Sequence, residues 1–185
     1  MTLLFLDIET TGLTAQDEVI EVAGFVTDDD GENRRAEFNH LIGVTAHGMA
    51  RIEDNHYVSS MHRKSGLLDE LEVISPNEHE ARLKQVRLDL RQLAKEHGRR
   101  QLLLTGFSVH FDAKMLLNAW SGYDWSTETG CGYRFLDVSS VTRAVLEATG
   151  QDVRPATDVA HRALADCDAA LSSYKAALDL MRGVW

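Results

Sequence analysis

The chain has 185 residues, 44% of them hydrophobic and 26% charged, enough for a full core in one domain spanning 1–185. No apolar run approaches membrane-spanning length, and the absence of a charged leader or cleavage site gives the expectation of no secretory signal and a cytoplasmic protein with no membrane partner. The formal net charge of −10 argues against a broad basic face for long nucleic acids. An acidic chain that handles nucleic acid would sooner grip a few nucleotides, with metal ions neutralising the phosphates; the competing reading is that net acidity only reflects solubility.

The first element is an apolar run, Leu3-Leu4-Phe5-Leu6, which reads as a strand buried on both faces and central in a sheet. Asp7 and Glu9 follow. Alternate residues of a strand share a face, so the two carboxylates point the same way. Side by side at the end of a buried strand they are costly unless a cation sits between them, and hard ions such as Mg²⁺ or Mn²⁺ take oxygen ligands of this type. Thr10, Thr11 and Gly12 add hydroxyls, backbone N–H groups and a turn beside that charge. The competing reading is two exposed acids at a strand end.

Residues 19–27 read as a second strand, 28–31 as a turn and 35–42 as a third strand, making a meander. Residues 45–75 have no clean period and read as short helices and loops. Ser75, Pro76 and Glu78 predict a capping box, and Leu83, Val86, Leu90 and Leu93 form one stripe of a helix that Gly98 can end. Residues 102–107 are a fourth, buried strand, 112–119 a helix, 121–132 a loop and 133–137 a short fifth strand. A helix over 138–148 closes at Gly150, and Leu164, Cys167, Leu171, Tyr174, Leu178 and Met181 mark a long last helix. A meander followed by alternating helices and strands implies one α/β domain with a mixed sheet. Cys131 and Cys167 have no metal-ligand spacing and read as reduced thiols.

Two further acids can join Asp7 and Glu9. Asp112 opens a helix directly after a buried strand, where it either caps the helix or joins a site at the sheet edge. His161 and Asp166 are five residues apart, about 140° of helical rotation, so they do not share a helical face. The spacing fits His161 on the loop before the last helix and Asp166 in its first turns; Asp168, roughly opposite, reads as a solvent-facing charge. His161 alone reads as an ordinary surface histidine. Four acids on three segments can hold two divalent ions roughly 3.5–4 Å apart, and a histidine can take a proton from an activated water.

At this point the chain resembles the DEDDh 3′-to-5′ exonucleases, which have a ribonuclease H-like fold. Asp7-Ile8-Glu9-Thr10-Thr11-Gly12-Leu13 resembles their first motif, Ser108-Val109-His110-Phe111-Asp112 the second, and His161 through Asp166 the third. Within that group the chain looks most like the oligoribonucleases. His62 with Ser65-Gly66-Leu67, and Tyr133-Arg134-Phe135-Leu136-Asp137-Val138-Ser139, resemble stretches of that family.

The resemblance implies a five-stranded mixed sheet, a three-strand meander plus two parallel strands, flanked by helices. It implies two Mg²⁺ or Mn²⁺ ions. Asp7, Glu9 and Asp166 would hold one, Asp7 would touch the second, Asp112 would help directly or through water, and His161 would be the general base. Thr10 and Gly12 would lie along the substrate, and Leu13 and Tyr57 would pack on its bases. Ser108, Arg134 and Ser139 would hold the 5′ phosphate, with Tyr133 reaching in from the second subunit of a homodimer. Without the resemblance, Arg134 paired with an acid, Ser139 as a helix cap and Tyr57 in the core would be preferred. Phe107, where the family commonly has asparagine, and Tyr57, where it has tryptophan, depart from the pattern and bear on the preference for dinucleotides.

The function expected is metal-dependent hydrolysis of short single-stranded RNA to 5′-mononucleotides. One alternative is a single-stranded DNA or RNA 3′-tail exonuclease, with Arg34-Arg35, Arg63-Lys64 and Arg99-Arg100 available to longer substrates. Another is a nucleotide-binding module without catalysis, which has no physical need for clustered carboxylates.

Overall fold

The apolar run after Met1 forms β1 (Thr2–Thr10), the middle strand of a five-stranded sheet. The computed structural model describes residues 1–98, 101–155 and 161–183. β2 (Val19–Asp28) pairs antiparallel with β1, and β3 (Arg35–Leu41) antiparallel with β2. On the other side β4 (Leu102–Gly106) and β5 (Phe135–Asp137) add in parallel, giving the order β3-β2-β1-β4-β5. Meander, buried centre and mixed sheet are as expected from the sequence.

The helices are α1 (Ala46–Asp54), α2 (His56–Lys64), α3 (Leu67–Leu71), α4 (His79–Glu96), α5 (Val109–Ala119), α6 (Trp125–Thr129), α7 (Val138–Thr149) and α8 (Ala163–Gly183). They cover both faces of the sheet. Leu4, Leu6 and Ile8 pack with Val86, Leu90, Val109 and Leu116 of α4 and α5. Leu3 and Phe5 face the other way, onto Val138, Cys167, Ala170 and Tyr174 of α7 and α8. A smaller cluster of Ile20, Ile52, Val58, Leu67 and Leu71 seats α1 to α3 against the end of the meander. Alternation along β1 thus assigns Asp7 and Glu9 to the α8 face.

Three local expectations change. The capping box at Ser75 does not form: the Glu78 carboxylate bonds Arg82, one helical turn on (Arg82 Nη2 to Glu78 2.7 Å). Pro76–Glu78 is a 3₁₀ turn, and α4 starts at His79. The loop at 121–132 contains α6, with Asp124 accepting from Thr127 N–H and Gly130 in the left-handed region at its end. α5 begins three residues earlier than expected, at Val109. Arg99 and Arg100 lie outside the described residues. No described helix is long and apolar enough to cross a membrane.

Candidate active site

β1 outruns its parallel partner. Its pairing with β4 stops at Phe5–Thr105, and the chain leaving β4 turns into α5. Asp7 and Glu9 therefore emerge beyond the end of β4, where open α/β sheets build sites. On the α8 face they meet Asp166, in the first turn of α8. One carboxylate oxygen from each of Asp7, Glu9 and Asp166 lies within 4.8 Å of the others.

The electrostatics are those of crowded, desolvated acids. Burial, then the charges of Asp112, Asp166, Glu9 and Glu21, hold the Asp7 carboxyl well above the usual range. Glu9 is pushed up to about 8, by burial first and then by Asp166 and Glu21, with Arg162 acting in the opposite sense. Asp166 rises to about 7 through burial and the Glu21 charge. Among the described residues no Lys or Arg forms an ion pair with Asp7, Glu9 or Asp166, and the Asp166 Oδ1 is buried without a hydrogen-bond partner. An orphaned oxygen on a carboxylate beside two other acids fits a divalent cation.

Asp112 is the fourth residue of α5 and only 4% exposed, so the helix-cap reading falls. It stands outside the three-oxygen group but raises the Asp7 pKa by its charge. Burial lifts its own carboxyl to about 8, opposed by the N–H groups of Ile8 and of Asp112 itself. Asp168 is turned outward onto Arg34.

His161 lies two residues before α8, as the spacing requires, with φ +50 in the left-handed region that a non-glycine residue rarely adopts. The Thr10 hydroxyl donates to the Gly12 carbonyl at 2.6 Å. A Cβ on Gly12 would lie 2.7 Å from the Asp17 carboxyl, so a larger residue there would push Asp17 from its place. Asp17 braces this loop, accepting from Thr14 N–H (2.8 Å) and Arg51 Nε (2.7 Å). The braced loop presents Leu13 at 82% exposure, and α2 presents Tyr57 at 72%. Tyr57 is thus not a core residue.

Ser108 and Ser139 come together: the Ser108 N–H donates to Ser139 Oγ at 3.1 Å. Ser139 is not the cap of α7, a place taken by Asp137, which accepts from Ser140 N–H. The groove they line contains Arg143, His110 and Asp137. Arg134 is not brought to it. Its guanidinium lies 5.4 Å from the centre of the Tyr133 ring and its Nε donates to the Tyr133 hydroxyl at 3.2 Å, beside a different groove with Met1 and Leu103.

The supporting roles of some residues escape sequence reasoning, including that of His62, which the sequence marks only as part of a family-like stretch. Glu21, opposite Glu9 in the β1–β2 register, is fully buried and bonded to Arg162. An acid inside the apolar run Val19-Ile20-Glu21-Val22 was its available signal. His62, also fully buried, donates from Nε2 to the Thr10 carbonyl at 2.9 Å and fixes the end of β1. Nothing in its spacing pointed there.

The model of the family described as Exonuclease (RNase_T) matches residues 4–174. The oligoribonuclease of Tropheryma whipplei (strain Twist) is 28% identical over 167 residues, 89% of this chain and 84% of that protein. The oligoribonuclease of Corynebacterium diphtheriae is 28% identical over 186 residues, 99% of this chain and 82% of that protein. Among solved structures, E. coli exonuclease I in complex with a dT13 oligonucleotide superposes with a TM-score of 0.63 at 19% identity. That likeness covers 99% of this chain, which spans only 42% of the exonuclease I chain.

Proposed function

The chain belongs to the exonuclease family and is a 3′-to-5′ exonuclease, and from that premise we propose that it hydrolyses short single-stranded RNA to 5′-mononucleotides as one domain over 1–185. The observation that carries the chemistry is the convergence of Asp7, Glu9 and Asp166, carboxylates with raised pKa values and, among the described residues, no ion pair to a Lys or Arg. Those three, with Asp112 assisting from beside Asp7, would hold a pair of Mg²⁺ or Mn²⁺ ions. When bound, such ions neutralise charge on the phosphodiester and lower the pKa of the attacking water.

The protein's own groups do the rest. Leu13 and Tyr57, both exposed, pack on the two terminal bases without reading their identity. His161 accepts the proton of the attacking water at a ring nitrogen. Ser108 and Ser139, joined at the start of α5 and α7, bind the 5′ phosphate of a substrate too short to reach further. Tyr133, 68% exposed, completes that end from the second subunit of a homodimer, and Arg134 leaves its place on the Tyr133 ring to reach the phosphate. Two free, buried cysteines fit a reducing cytoplasm.

The test is hydrolysis by the purified protein with Mn²⁺ of a 5′-phosphorylated dinucleotide, a longer RNA and single-stranded DNA. The dinucleotide is expected to be cut fastest, Asp7→Asn to be inert, and His161→Ala to lose about 10²–10⁴-fold in kcat. Preference for long chains or DNA would move the assignment to the reading that the oligonucleotide-bound exonuclease I favours. Hydrolysis by Asp7→Asn at the wild-type rate would remove the metal site altogether.

A further inference from the structure

The first turn of α8 is tied to the sheet by one guanidinium shared between two acids. Arg162 Nη2 donates to Glu21 Oε1 at 3.0 Å, and its Nε lies 3.2 Å from Glu21 Oε2. On its other side Nη1 and Nη2 reach the two oxygens of Glu70, on α3, at 2.9 and 2.8 Å. Glu21 is fully buried, on β2 directly across from Glu9. Its Oε2 also accepts the Ala163 N–H at 3.1 Å, one of the backbone donors that the start of a helix leaves without a partner.

Two forks on a planar guanidinium define an orientation as well as a charge. The residue so oriented is the immediate neighbour of His161, whose left-handed backbone is costly and persists only where its surroundings hold it. We infer that Arg162, clamped by Glu21 and Glu70, is the positioning residue for His161, setting the imidazole against the carboxylates of Asp7, Glu9 and Asp166 while touching neither substrate nor metal. The same clamp spans three elements, β2, α3 and the start of α8, so it transmits the fixed geometry of the sheet to His161, which, unlike Asp7, Glu9, Asp112 and Asp166, lies outside regular structure.

This rests on His161 being the general base, and the experiment separates the two ideas. Arg162→Lys keeps the charge and loses the double fork. On a dinucleotide with Mn²⁺ it is expected to lower kcat about 10-fold while KM and Mn²⁺ affinity stay within about twofold. In the His161→Ala background the same substitution is expected to cost nothing further, because there is no longer a base to position.

Losses that multiply in the double variant would overturn the inference and leave the base assignment standing. So would full kcat in Arg162→Lys, which would mean that charge alone matters. Wild-type kcat in His161→Ala would overturn the base assignment and the inference together. Should Arg162→Lys fail to fold, Glu70→Gln decides. It relaxes the clamp on its half-exposed side, with an expected loss of about threefold in kcat that vanishes when His161 is absent. Unchanged kcat in Glu70→Gln would count against the clamp.

Discussion

Asp7, Glu9, Asp112 and Asp166 hold their protons above the ordinary carboxyl range because burial and neighbouring acids both favour the neutral form. A carboxyl whose pKa is higher folded than unfolded binds its proton more tightly in the folded chain. Its contribution to stability is complete below the ordinary carboxyl range and is lost as pH rises to the folded values of about 7 for Asp166 and about 8 for Glu9. The metal-free protein is therefore expected to melt at a lower temperature near roughly pH 8.5 than near roughly pH 5.5, the fall starting above the ordinary carboxyl range and ending near the folded values of about 7 and about 8. Added Mn²⁺ competes with those protons, so the rise in Tm it produces is expected to grow with pH. Melting curves across pH with and without Mn²⁺ check both statements, and Glu9→Gln should flatten the metal-free profile. Asp17 behaves oppositely: bonded to Arg51 and Thr14, its carboxyl is held far below the usual range, so it withdraws support only in strong acid.

At the scale of elements, the site depends on how closely β4 approaches β1. Gly106 ends β4, and a Cβ there would stand 2.7 Å from the Leu6 carbonyl oxygen, a backbone atom that cannot swing aside. Gly106→Ala is expected to part the two strands just ahead of α5, costing about 1–3 kcal/mol of stability. It would also carry Asp112 away from Asp7, so Mn²⁺ affinity in calorimetry should fall along with Tm. Substitution at Leu88, an exposed residue of α4, should leave both unchanged. These strands were readable in advance because β1 and β4 are unbroken apolar runs and β2 and β3 carry a turn between them. The five-residue α6 was not, because a single turn shows no period; Asp124 and Gly130, its caps, were the only trace. The acids at 7, 9 and 166 could be placed by strand alternation and helix spacing. The Glu21–Arg162–Glu70 clamp could not, since it joins three elements whose proximity only the folded sheet creates. Arg134 shows the opposite case: a motif position whose side chain lies on its neighbour Tyr133 rather than at the paired serines.

At the scale of the whole molecule, the proposed site draws on two chains. The net charge of −10 leaves little to attract a long polyanion, and on the proposed function the substrate is held at its ends, by Leu13 and Tyr57 on one side and the Ser108–Ser139 groove on the other. Tyr133 is not among the residues lining that groove; it lies exposed beside Tyr123 and Phe135 along an adjoining one that shares His110. A symmetric pair of chains gives such a residue a role across the interface. Asp7→Asn and Tyr133→Ala homodimers are both expected to cut a dinucleotide poorly, the first for want of a metal ligand and the second for want of the tyrosine. Refolded together in equal amounts, half of the dimers are mixed, and each has one site with Asp7 from one chain and Tyr133 from the other, restoring about a quarter of wild-type activity. If Tyr133 served its own chain, mixing would restore nothing. If it served no site, Tyr133→Ala alone would already turn over at the wild-type rate, and the exposed aromatic groove would need another explanation than catalysis across a dimer.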